Sequence, residues 1–139
     1  MTEPYRDFPE LVLHCVQGRD YRFVIRDVGA DVTVTAIHGG GIEPLTSEVA
    51  TVIAGEEHNL YDLRGMRPDD NSALRVPVQR FDEMRLRALL KRSRTALSVL
   101  GAPGEEPVVH LGGKNRRLRA ILARRLEEAG FEVRGPAVA

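Results

Sequence analysis

At 139 residues the chain is long enough to bury a core as one domain, residues 1–139, and its single cysteine, Cys15, excludes an intrachain disulfide framework. Twenty basic residues balance twenty acidic ones. The N-terminus, MTEPYRDFPE, is polar and carries no apolar signal core, and no stretch approaches a membrane span, so the expectation is a cytoplasmic protein without a signal peptide.

The charge is zero overall but unevenly spread. From Arg85 to Arg125 eleven basic residues stand against two acids, Glu105 and Glu106. A basic half of this kind can meet a polyanion, although most of these arginines fall on the polar sides of amphipathic patterns and read equally well as solvated helix faces. Three tyrosines, four phenylalanines and no tryptophan offer little material for stacking bases, which argues against nucleic acid as the partner.

In chain order, Phe8, Leu11, Val12, Cys15 and Val16 recur at three-four spacing and predict a short helix within 5–17, stopped at Gly18. Asp20 to Asp27 alternates as a strand, and Val32 to Ile37 follows as a second one across the turn Val28-Gly29-Ala30-Asp31. The short connection predicts that the two pair as neighbours, antiparallel or through a tight hairpin. After a glycine run, Pro44 to Glu48 opens a helix in which Thr46 or Ser47 accepts from the first amides and Val49, Ala50, Val52 and Ile53 face inward. Asn59 to Arg64 is a further strand and 66–72 a polar loop.

Leu74 to Val78 reads as a strand with Pro77 at an edge. Asp82 is expected to cap a helix over Glu83 to Arg92 with Met84, Leu86, Leu89 and Leu90 apolar. Thr95 to Leu100 reads as an interior strand and Pro107 to Leu111 as another. Asn115 caps the clearest helix, with Leu118, Ile121, Leu122, Leu126 and Ala129 inward and Gly130 at its stop; Phe131 to Arg134 is a last strand and 135–139 a tail. The alternation of strands and helices predicts an α/β domain with a mixed sheet flanked by helices.

The stretch with chemical content is Ile37-His38-Gly39-Gly40-Gly41-Ile42-Glu43-Pro44, at the end of the second strand. Strand ends deliver side chains to the open edge of a sheet, where α/β proteins place their ligands. Three successive glycines let the chain curl tightly enough for His38 and Glu43 to converge on one point, and an imidazole beside a carboxylate suits a divalent metal. The start of the next helix so close to Glu43 favours an anion or oxyanion there. The competing reading is architectural: the glycines hold a turn, and His38 and Glu43 bond to the backbone or to each other. His14 reads as structural, His110 as a satisfied sheet residue, and His58 has no assigned role. Glu48 and Glu83, each early in a helix, read as structural carboxylates.

Gly18-Arg19-Asp20-Tyr21, the block from Ala36 to Pro44 with Thr46-Ser47-Glu48 behind it, Tyr61 to Gly65, Phe81-Asp82-Glu83, and Glu106 to Val109 with Gly112-Gly113 together resemble the poly-γ-glutamate hydrolase family of bacteria and their phages. The resemblance implies a carboxypeptidase-like α/β fold, shortened at its C-terminus, and a zinc-dependent hydrolase of γ-linked polyglutamate, cytoplasmic or phage-associated. It assigns His38 and Glu43 as zinc ligands. The family's further ligand histidine falls at Leu100, in Ser98-Val99-Leu100-Gly101, which leaves the metal site incomplete. Arg75 stands where a histidine is usual, Leu45 where a glycine is common, and no residue up to Ala139 matches the family's catalytic glutamate. Two classes of function therefore stay open: a zinc hydrolase of an acidic polymer, or a non-catalytic binding, regulatory or virion-associated domain that keeps the fold and meets that polymer or a protein partner.

Overall fold

A computed structural model of the chain describes residues 4–136. It divides into two compact units, 1–101 and 102–139. The larger contains α1 (Phe8–His14), β1 (Tyr21–Arg26), β2 (Val32–Gly40), α2 (Thr46–Ala54), β3 (Asn59–Gly65), α3 (Met84–Arg92) and β4 (Thr95–Ser98). The smaller contains β5 (Val108–His110), α4 (Arg116–Glu128) and β6 (Glu132–Arg134).

The sheet of the larger unit runs β1-β3-β2-β4, with β1 antiparallel to β3 and the other neighbours parallel. The expected pairing of the first two strands is therefore wrong, because β3 lies between them. Its first residue explains the insertion. The Asn59 side chain accepts from the amides of Val28 and Ala30 at 2.9 and 3.2 Å and donates to the Ala30 carbonyl at 2.9 Å. The β1–β2 turn is thus held by β3 and does not close as a hairpin. Because α2 carries the chain back between β2 and β3, those two strands run parallel.

Residues Thr33 to Gly39 and Asn59 to Leu63 are buried throughout, as expected of strands covered on both faces. One face packs Ile37, Tyr61 and Leu63 with Leu11, Leu74, Val76, Leu86 and Leu89, and with the rings of Phe8, Phe23 and Phe81. The other packs Val34, Ala36 and Leu60 against Ala50 and Ala54 of α2. Burying a leucine-sized side chain in such a face stabilises the fold by about 1.5–3 kcal/mol.

The phase of α2 departs from its hydrophobic pattern. Thr46, Ser47, Ala50 and Ala54 are buried, whereas Val49, Val52 and Ile53 are exposed, Val52 by 81%. The Thr46 and Ser47 hydroxyls do not cap the helix, whose N-cap is Leu45 at φ 74° with no side-chain bond. They bond into the preceding turn, and that fixes which side of α2 meets the sheet. Small residues at Ala50 and Ala54 then let the helix lie close to it.

Three further expectations change. Leu74 to Val78 forms no strand: short 3₁₀ turns at Asn71–Leu74 and Val78–Arg80 flank an extended segment, since Pro77 has no amide to give a ladder. Glu83, not Asp82, caps α3, accepting from the Arg85 amide at 3.0 Å. β4 ends the sheet order with alternate residues exposed, so it is not interior; among the described residues it has one neighbour, β2, and binds it further through Thr35 and Ser98 hydroxyls 3.0 Å apart.

The smaller unit is a β–α–β element in which β5 and β6 pair in parallel. Asn115 caps α4 as expected, accepting from Leu118 N at 3.0 Å. Leu118, Leu122 and Leu126 are half-buried, while Ile121 is exposed. His110 satisfies its Nδ1 on the Gly135 carbonyl, 2.9 Å away, in keeping with its reading as a satisfied sheet residue.

Candidate functional site

The glycine segment is part of β2 itself, which runs through to Gly40. Ala36 pairs with Asp62 and Gly39 with Arg64, so β2 takes three steps where β3 takes two. This is a bulge at Ile37–His38, and a bulge re-aims the side chains beside it. His38 is placed by it in the interior, 1% exposed.

Past the bulge the chain folds back on itself. Gly40 has φ 59°, and a Cβ on Gly39 would stand 2.3 Å from Ser47 Oγ and 2.4 Å from Asp62 Oδ1, so neither position accommodates a side chain. The Glu43 amide donates to the His38 carbonyl at 2.9 Å. Thr46 Oγ1 lies 2.8 Å from the Glu43 carbonyl and 3.1 Å from that of His38, sharing one hydroxyl proton between them. Ser47 Oγ accepts from the Gly40 amide at 2.8 Å and donates to Asp62 Oδ1 at 2.7 Å, and Asp62 Oδ2 meets Arg64 Nε at 2.7 Å. Asp62 is fully buried. A carboxyl buried there needs a partner for each oxygen, and Ser47 and Arg64 supply them, which makes this network the base on which the turn rests.

His38 and Glu43 do converge. The His38 Nε2 lies 2.7 Å from the Val76 carbonyl, which can only accept, so Nε2 carries a proton and Nδ1 is the ring nitrogen turned toward Glu43. That Nδ1 is buried without a hydrogen-bond partner, 3.3 Å from Glu43 Oε1 in a geometry that makes no hydrogen bond. An orphaned ring nitrogen beside a carboxylate oxygen is what a cation site offers. Two donors about 2.0–2.1 Å from a tetrahedral zinc stand about 3.3 Å apart, so the pair fits both in chemistry and in spacing.

The rest of the site does not complete that set. Glu43 Oε1 also accepts from the Gly101 amide at 2.8 Å, and Oε2 lies 3.0 Å from Arg75 Nε. Burial alone would push the Glu43 carboxyl up; the His38 ring, the Gly101 amide and the Arg75 guanidinium outweigh it and hold it below the ordinary carboxylate value. Leu100, 42% exposed, immediately precedes the amide that binds Glu43. A leucine side chain at this position brings no donor atom to the pair. Among the described residues no three of histidine, cysteine, aspartate and glutamate gather in a metal-holding group.

The turn residues are legible in sequence, and the partners from elsewhere are not. The Val76 carbonyl and the Gly101 amide leave no trace in residue type. Asp62 does: an acid inside the apolar run Leu60-Tyr61-Asp62-Leu63 signals a buried charge with a partner. His14 stacks on Tyr5 with ring centroids 5.5 Å apart, and Glu83 accepts from the Tyr61 hydroxyl at 2.7 Å, both structural roles.

Fold and turn together define an α/β protein whose sheet end presents a histidine–carboxylate donor pair. The chain belongs to the poly-γ-glutamate hydrolase family, whose sequence pattern matches residues 5–138. It is 35% identical over 127 residues to UPF0714 protein YndL of Bacillus subtilis (strain 168), covering 91% of this chain and 50% of YndL. It is 32% identical over 130 residues to the SPbeta prophage-derived UPF0714 protein YoqZ of the same organism, covering 94% of this chain and 47% of YoqZ. The chain thus spans about half the length of the curated relatives it matches. A solved structure described as zinc-free apo YndL superposes with a TM-score of 0.91 at 33% identity, over 99% of this chain and 67% of that one. The structure of a bacteriophage poly-γ-glutamate hydrolase superposes with a TM-score of 0.81 at 21% identity over the same shares, a likeness of fold. Among the described residues no helix is long and apolar enough to cross a membrane.

Proposed function

We propose that the protein is a hydrolase-type domain directed at γ-linked polyglutamate, with zinc held weakly by two protein donors, His38 Nδ1 and Glu43 Oε1. The observation that carries this reading is the buried, unpartnered Nδ1 facing a carboxylate that is ionised at neutral pH. Membership of the family supports the polymer as substrate class, and the zinc-free description of one YndL structure supports zinc as the metal. When bound, zinc supplies an acidified water and a polarised carbonyl.

The chain's own residues supply the setting. The Val76 carbonyl fixes the His38 ring angle through Nε2, an outer contact of the kind that raises a ligand's basicity. The Gly101 amide and Arg75 hold the Glu43 carboxylate so that Oε1 points at His38. With Leu100 offering no donor, two protein ligands leave the other positions to water, and zinc binding is correspondingly weak. Leu100 and the Glu43–Arg75 pair also favour a second reading, a non-catalytic domain that binds the acidic polymer, or a regulatory or virion-associated partner, on the retained fold.

Size analysis of poly-γ-glutamate incubated with the protein and zinc separates the two. Shortening of the polymer that disappears in His38→Ala supports hydrolysis. Polymer retention with no shortening, in the protein and in Leu100→His alike, supports the binding domain.

A further inference from the structure

We infer that Arg75 is a resident counter-ion of Glu43, competing with a divalent cation for the site and setting its affinity. The inference rests on the reading of His38 and Glu43 as a cation site and names the residue that governs it.

The two oxygens of Glu43 are divided. Oε1 faces His38 and takes the Gly101 amide, while Oε2 forms an ion pair with Arg75, 3.0 Å from its Nε. The carboxylate side chain is only 14% exposed and the arginine 35%, so the pair is screened less than one on the open surface. No other acid joins Glu43 and His38 in a ligand cluster among the described residues, so the one negative charge is already neutralised. A divalent ion entering beside His38 has to share it with a fixed cation.

An outer partner of a ligand often tightens a metal by aiming the ligand. Here that task is duplicated. The Gly101 amide aims Oε1, and residue 101 approaches so closely that a Cβ there would lie 3.3 Å from Glu43 Cβ; the turn bond from the Glu43 amide to His38 fixes the same side chain from its own backbone. Removing Arg75 therefore removes repulsion and keeps the aim. Arg75 is itself firmly placed, between Leu74 and Val76, both fully buried, and the Val76 carbonyl is the group that binds His38 Nε2. One short segment thus holds both donors, His38 through its backbone and Glu43 through its side chain, without a metal.

The test is titration of the chelator-stripped full chain with zinc by calorimetry, together with thermal unfolding with and without zinc. Arg75→Gln, and Arg75→Met as a second variant that keeps the apolar stem, are expected to bind zinc at least 10-fold more tightly than the parent and to gain more in Tm from zinc, while unfolding at a lower temperature without it. Arg75→Lys, which keeps the charge, is expected to stay within about 3-fold of the parent. Equal or weaker zinc binding in both neutral variants, with binding in the parent still dependent on His38, overturns the counter-ion role alone. No zinc binding in the parent or in any variant overturns the reading of the pair as a cation site.

Discussion

The two walls of the site are held in different ways. On the turn wall, the chain between His38 and Glu43 is held by bonds made within and beside the turn, the Glu43 amide on the His38 carbonyl, the Gly40 amide on Ser47 and Ser47 on Asp62. On the facing wall, Arg75 and Val76, with Leu100 and Gly101, reach the donors from more than thirty residues away, with one guanidinium, one carbonyl and one amide making the contacts. The turn wall keeps both ligand-type side chains, and the facing wall supplies a cation and backbone groups. Under the proposed reading, the turn wall would present the donors and the wall opposite would set how firmly a metal is held.

Breaking the turn wall is expected to have the largest effect. Gly39→Ala places a methyl in contact with Ser47 Oγ, Asp62 Oδ1 and the Leu63 carbonyl, the last 2.7 Å away, and is expected to cost about 4 kcal/mol or more in chemical denaturation. Asp62→Ala strands the Ser47 hydroxyl and the Arg64 partner of a fully buried carboxylate and is expected to cost about 3–5 kcal/mol in the same measurement. Changing the facing wall is expected to act on the ligand and not on the fold. Leu100→His adds a nitrogen donor beside Glu43 and is expected to tighten zinc about 10-fold or more, with denaturant stability in chelator within about 1 kcal/mol of the parent. Unchanged zinc affinity would remove Leu100 from the site.

How far the sequence foretold this arrangement depends on the distance over which each contact acts. The His38–Glu43 turn is local, made by residues that follow one another, and its convergence is legible from the glycines alone. The phase of α2 is not, because Thr46 and Ser47 spend their hydroxyls on the turn and thereby rotate Val49, Val52 and Ile53 outward, against the hydrophobic pattern. The neighbour of β1 is not legible either, since the bonds that settle it come from Asn59, across the sheet. α4 is legible because its cap, its stripe and its stop all lie within one segment. For the site, the identity of residue 100 as a missing donor came from resemblance, while the attachment of Arg75 to Glu43 required the fold.

Smaller effects sharpen the contrast further from the site. Asp20 is held far below the ordinary carboxylate range, chiefly by Arg19 and then by the Val16 amide and Arg67. A carboxyl depressed on folding stabilises fully above its unfolded value, near pH 4, and that contribution is lost as pH falls through the folded value. Asp20→Asn is therefore expected to lower Tm at pH 7 and to flatten the loss of Tm below pH 4. Val52→Ser, on the outward side of α2, is expected to change stability by no more than about 0.5 kcal/mol; a loss of 1.5 kcal/mol or more would mean that this side is covered.

We propose His38 and Glu43 as a zinc-capable donor pair without a third protein ligand among the described residues. Zinc titration of the purified parent beside His38→Ala tests it most directly. Weak, saturable binding of one zinc in the parent that vanishes in His38→Ala is the predicted result, whereas binding unaffected by the substitution, or none at millimolar zinc, would contradict the claim.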